Sequence, residues 1–235
     1  MKQHTLKAPF SFEGKGLHTG LHIHATFLPA EENTGIRICR TDLEGRPTYE
    51  AIADYVTATE RGTVLERGAW KVSTVEHALS ALYALGVDNC LIEVDGPEMP
   101  ILDGSAKFYI KAIQQVGRQE QKAEQKVFVV TEPIESLSEH GNKMLISPSD
   151  KYEVEITISY PSSSFLREQK AELNDLSEYT REISSARTFC FVREIEPLLR
   201  MGLLSAHHIV AQLGEDIRQV FKTLVLHGDR TGHFV

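Results

Sequence analysis

No paired cysteines, no long apolar run and no basic stripe occur in this 235-residue sequence, and each absence removes a class of protein. The 3 cysteines, Cys39, Cys90 and Cys190, form no Cys-x-x-Cys pair, so neither a thiolate metal knot nor a disulfide scaffold is expected. Each lies in an apolar stretch and reads as a reduced core residue. No segment approaches the roughly 18 consecutive apolar residues of a membrane-spanning helix. The opening residues MKQHTLKAPFSFEG also lack the apolar core of a secretion signal, so a cytoplasmic protein with no membrane span is expected. A net charge of -8 without clustered Lys and Arg argues against nucleic acid as the main partner.

What is present is an ordinary globular composition, 41% hydrophobic and 25% charged, sufficient for one large core or two modest ones. The most informative segment is KVSTVEHALSALYALGVDNCLIEVDGPEMPILDGSA, residues 71–106. Ser73 as N-cap, Glu76 three positions later and Gly86 at the far end predict a helix over residues 74–85 that opens with a capping box. Its apolar stripe is Val75, Ala78, Leu79, Leu82 and Leu85, and Glu76 and His77 point away from it. Beside them stand Ser80, Ala81 and Ala84, small residues where a solvated helix would carry long charged ones, so a second layer is expected against that face. A Glu and a His in a crevice between layers are candidates for chemistry. From spacing alone, Glu76 is equally explained as a capping carboxylate, and one His is a third of the three-ligand set of a catalytic zinc.

Period-2 patterns predict strands over residues 22–28 and 35–39 before this helix and over 89–94 after it. A second helix is predicted over residues 106–116. The charged stretch GRQEQKAEQK, residues 117–126, reads as a domain boundary. Beyond it, strands are predicted over residues 127–130, 132–137, 143–146 and 152–160. Asp103, just before the second helix, reads as a capping and positioning residue.

The run STVEH, then GVDN, a strand and PEMPILDGSA, resembles the UDP-3-O-acyl-N-acetylglucosamine deacetylases, the zinc amidases of lipid A biosynthesis. Three further segments resemble the same family in the same order: GKGLHTG at 14–20, TGIRICRTD at 34–42 and ISSARTFCFVREIEPLLRMGL at 183–203. The resemblance implies an α+β fold of two similar domains, each a sheet with two helices on one face. The first would span residues 1–120, and the second, incomplete here, residues 126–204. It also implies removal of the N-acetyl group from a UDP-linked, 3-O-acylated glucosamine, with a Zn2+ cofactor.

By motif position the resemblance makes His77 a zinc ligand, Glu76 the general base and Thr188 the donor to the oxyanion. Phe189 and Phe191 would line an acyl channel, Lys143 would approach the diphosphate, Tyr160 the uracil, and His18 the site itself. Each has a plainer reading: Thr188 satisfying local backbone, the two Phe in a core, Lys143 on a solvated hairpin, Tyr160 at a strand end, His18 buried and bonded to backbone.

The family's other two zinc ligands come from a later His-Lys-x-x-Asp helix, which these residues do not contain. Four positions after His207, His208 and His227 stand Ala211, Gln212 and Thr231. Residues 205–235 resemble instead the start of a prolyl-tRNA editing domain, on VFKTLVLHGD with Lys222, and read as a foreign or divergent tail joined near Leu204. Three functions therefore stay open: a zinc deacetylase, inactive in this chain if the later ligands are lacking; a metal-free binder of UDP-sugars or acyl chains; and an aminoacyl-tRNA editing fragment in the tail.

Overall fold

The computed structural model describes residues 1–59, 62–139, 141–159 and 168–188. In chain order the first strands are β1 (Lys2–Leu6), β2 (Phe10–Lys15), β3 (His22–Pro29), β4 (Ile36–Arg40) and β5 (Thr48–Glu50). A small sheet follows, β6 (Val56–Ala58), β7 (Val64–Arg67) and β8 (Trp70–Ser73), then α1 (Glu76–Ala84), β9 (Cys90–Val94) and α2 (Lys107–Val116). After them come β10 (Arg118–Glu124), β11 (Ile134–Leu137), β12 (Lys143–Ile146), β13 (Val154–Ile158), β14 (Gln169–Leu173) and a one-turn helix α3 (Tyr179–Glu182). The class is α+β, as expected.

The main sheet has the order β2-β3-β9-β4-β5, antiparallel except where β4 runs parallel to β9. Alternation decides its faces: on β3, Ile23, Ala25 and Phe27 are buried while His22 and His24 are exposed. Ile38, Ile92 and Val94 extend that inner face, and Val75, Ala78, Leu82, Tyr109, Ile110 and Ile113 of the α1 and α2 region close over it in one core. Trp70, buried on β8, sends its indole N–H to the Ile38 carbonyl at 3.1 Å and so ties the small sheet to the large one.

Helix α1 begins two residues later than predicted, and its capping box is not formed. Val75 is the N-cap, no side chain caps it, and Ser73 is the last residue of β8. Tertiary pairing overrode the local signal: the Ser73 amide donates to the Pro97 carbonyl at 2.9 Å, and Met99 returns a bond to the Ser73 carbonyl. The C-terminal reading holds, with Gly86 at φ +64 and the Val87 amide bonded to the Leu82 carbonyl.

The stretch expected to separate domains is mostly a strand. β10 pairs antiparallel with β1, from Lys2 opposite Glu124 to Leu6 opposite Arg118, and so completes the first unit. Its stabilisation is polar: the Asn89 side-chain Nδ2 donates to Gln3 and Gln121, and Lys2 pairs with Glu124. A strand held by such contacts carries no apolar period to read. The strand expected over residues 127–130 is not formed; the segment is irregular, with Val127 and Val129 exposed.

The described part of the second unit contains two antiparallel strand pairs, β11–β12 and β13–β14, a 3-10 turn at Leu176–Glu178 and α3. The small face of α1 is indeed covered. Ile156, Leu173, Tyr179 and Ile183 join the core that contains Ala81 and Leu82, and the Tyr179 hydroxyl donates to Ser80 at 2.8 Å.

Cys39 and Cys90 are buried free thiols, and Cys190 lies outside the described residues. Burial pushes the Cys90 thiol up to about 12 from 9.0, opposed weakly by a bond with the Leu28 backbone. A raised acid favours the folded state while protonated, so this contribution is whole below pH 9 and lost as pH rises toward 12. The expected result is no labelling of native Cys90 by a thiol reagent at neutral pH, measured by mass spectrometry, and full labelling after unfolding.

Candidate functional site at the start of helix α1

The site is built where β8 turns into α1. Thr74 makes the turn at φ +58, a left-handed conformation disfavoured for a β-branched residue and stable only when its surroundings hold it. The chain then enters the helix with Glu76 and His77 inside the protein, 5% and 3% exposed. Their carboxylate and imidazole stand side by side, with Glu76 Oε1 3.7 Å from His77 Nε2. With the capping box absent, Glu76 Oε2 instead accepts the Thr63 amide at 3.0 Å.

Gly62 faces this pair across a small space. A Cβ on Gly62 would lie 3.5 Å from Glu76 Oε1, 3.6 Å from His18 Nε2 and 3.8 Å from Thr74 Oγ1. Three polar atoms, two from the start of α1 and one from the loop that carries His18, thus converge on one point. His18 belongs to the GKGLHTG loop and is exposed rather than buried; its backbone amide donates to Glu98 at 2.9 Å. The plainer reading of His18 as a buried histidine therefore does not hold. The negative charge of Glu76 also reaches Tyr109, whose hydroxyl is pushed well above its ordinary range, chiefly by burial and further by that carboxylate.

The segment after β9 links this corner to the second unit. The Thr188 amide donates to the Gly104 carbonyl at 2.9 Å, and Arg187 lies 3.7 Å from Asp103. Asp103 does not cap α2 directly, since the N-cap is Ala106. It accepts from the Ser105 amide and hydroxyl, and Ser105 in turn accepts from the Lys107 amide at 3.2 Å. A second link reaches His77 itself, because Ser80, bonded by Tyr179, donates to the His77 carbonyl at 3.1 Å.

Lys143 is exposed on the β11–β12 hairpin and paired with Glu135 at 2.9 Å, and no described contact joins it to the Glu76 and His77 corner. Tyr160, Phe189, Phe191 and Lys222 lie outside the described residues. Glu98, which sequence reasoning passed over, is wholly buried beneath the site. The signal for it was faint: one carboxylate inside GPEMP, with its donors on His18 and Thr19 80 and 79 positions away and that on Thr74 24 positions away along the chain. Among the described residues no group of three or more His, Cys, Asp or Glu is placed to hold a metal ion, and no helix is long and apolar enough to cross a membrane.

By fold and site this is an α+β protein with a buried carboxylate and imidazole of the kind used in general base chemistry. The chain belongs to the LpxC family, UDP-3-O-acyl N-acetylglycosamine deacetylase, whose model matches residues 3–217. It is 50% identical over 205 residues to the bifunctional enzyme LpxC/FabZ of Bacteroides thetaiotaomicron, covering 87% of this chain and 44% of that protein. To the enzyme of the same name from Porphyromonas gingivalis it is 52% identical over 204 residues, with 86% and 44% covered. A UDP-3-O-acyl-N-acetylglucosamine deacetylase of Phenylobacterium zucineum is 38% identical over 205 residues, with 86% and 70% covered. The chain therefore spans less than half the length of the first two relatives. The family model's match runs to residue 217, and the resemblance of the tail to an editing domain gains no support.

Proposed function

We propose that this chain carries the amino-terminal part of a zinc-dependent deacetylase site that removes the N-acetyl group of a UDP-linked, 3-O-acylated N-acetylglucosamine in lipid A biosynthesis, in the cytoplasm. The observation that supports this most is the convergence of Glu76, His18 and Thr74 on Gly62 with His77 alongside. An imidazole nitrogen and a carboxylate facing a space kept open by glycine fit part of a zinc site. His77 would hold the ion, and the other protein ligands implied by the family, a His-Lys-x-x-Asp pair, are not among these residues. Zinc, when bound, lowers the pKa of a water toward about 7 and polarises the amide carbonyl.

The protein's own groups then divide the work. Glu76 Oε2 is held by the Thr63 amide, which aims Oε1 toward Gly62, where it takes the proton of the attacking water. The water oxygen bonds to the acetyl carbon, and the Thr188 hydroxyl donates to the oxyanion, a contribution of roughly 2.7–4 kcal/mol for donors of that kind. The carbon–nitrogen bond breaks, the amine takes back the proton, and acetate leaves. By the family resemblance Phe189 and Phe191 would line the acyl channel and Tyr160 would approach the uracil, all three outside the described residues, and Lys143, exposed on its hairpin, would exchange Glu135 for the diphosphate.

The test is a zinc titration followed on histidine NMR signals. Zinc is expected to perturb His77, and His77→Ala to weaken binding by more than about 100-fold, beyond the range for second-layer changes. Zinc binding indifferent to His77 overturns the metal assignment. Retained UDP binding without zinc supports the second reading, a metal-free UDP-sugar binder.

A further inference from the structure

We propose that Glu98 is a positioning residue for this site, a buried carboxylate that fixes His18 and Thr74 relative to Glu76; this rests on the deacetylase reading only for its catalytic consequence. Glu98 is 0% exposed. Its Oε1 accepts from the His18 amide at 2.9 Å and from the Thr74 hydroxyl at 3.0 Å. Its Oε2 accepts from the Thr19 amide and the Thr19 hydroxyl, both at 2.8 Å, and more weakly from His18. These donors are all neutral, two of them backbone amides of one loop and one of them the residue that turns the chain into α1. A buried carboxylate is costly unless its oxygens are saturated in this way, and a saturated one holds its donors rigidly.

The geometry shows what that rigidity serves. Of the three polar atoms that face Gly62, two belong to residues bonded by Glu98, namely His18 and Thr74, while the third, on Glu76, is held by Thr63. The Glu98 backbone is itself fixed to the end of β8, just before the turn into α1, because Ser73 and Glu98 form a parallel bridge. The loop has been shaped to admit the carboxylate. A Cβ on Gly16 would come within 2.4 Å of Glu98 Oε2 and 2.5 Å of the Thr19 hydroxyl. Thr74 is in a left-handed conformation, and its bond to Glu98 is a specific interaction that opposes relaxation of that turn. Glu98 touches neither His77 nor the Gly62 space in the described contacts, so its action runs through His18 and Thr74.

Glu98→Gln tests this in the intact chain, because the amide keeps the shape but presents an N–H where two amides and two hydroxyls already donate. The expected result is displacement of the His18 imidazole NMR signals while those of His4, His22 and His24 stay in place. Acetate release should lose roughly 10- to 100-fold in kcat with KM little changed, the pattern of misplaced groups rather than lost binding. Thr19→Val, on the exposed loop, removes one donor and should move the same signals by less, which keeps the test decisive if Glu98→Gln does not fold. Unmoved His18 signals in a folded variant overturn the proposal. Displaced His18 signals in a protein whose zinc binding is indifferent to His77 support the positioning role and sink the deacetylase reading instead.

Discussion

In a protein that joins these residues to the family's later zinc ligands, Glu76→Gln is expected to slow acetate release by about 10²- to 10⁴-fold, the range for loss of a general acid or base. The argument is geometric. Gln can still accept the Thr63 amide that Glu76 Oε2 accepts at 3.0 Å, so the helix start should keep its shape and the thermal midpoint should change little. What it cannot do is take a proton beside His77 and Gly62. The measurement is kcat on a UDP-linked, acylated N-acetylglucosamine, with zinc binding followed in parallel. An active Glu76→Gln protein would remove Glu76 from the role of base. A variant that loses zinc as well as rate would place Glu76 among the metal's partners.

Tyr179→Ala is expected to have the largest effect on stability, about 3–5 kcal/mol if the buried ring behaves as other large aromatics do, which lowers the melting midpoint by on the order of 10 °C. Tyr179 is fully buried among residues of both units, and its hydroxyl bonds Ser80 on α1, which in turn bonds the His77 carbonyl. Losing the ring leaves a cavity between the second unit and the helix that carries the site. It also loosens the segment that places Thr188 against Gly104, so activity should fall in the protein that remains folded. Tyr179→Phe separates the two effects: it removes only the hydrogen bond and should cost about 1–3 kcal/mol. A calorimetric midpoint unchanged in Tyr179→Ala would mean that the two units do not depend on this contact.

The helix at the site was legible because apolar residues recur along it at helical spacing and Gly86 ends it, and the alternation on β3 declared that strand in the same way. The covering layer was legible too, from Ser80, Ala81 and Ala84. The role of Ser73 was misread because a cap is a local device, and a sheet bond from residues 97–99 outcompeted it. β10 was misread because its partners are amides and charges, which leave no period in the chain.

By itself the sequence determined the class of fold, the presence of a helix carrying Glu76 and His77, and the family, because periodicity and ordered motifs are properties of neighbouring residues. Only the tertiary structure decided that Glu76 is not a cap, that His18 and Thr74 meet it around Gly62, and that Glu98 underlies them. Those contacts join residues 18, 62, 74 and 98, and their energy depends on burial and distance in space, which spacing along the chain does not encode.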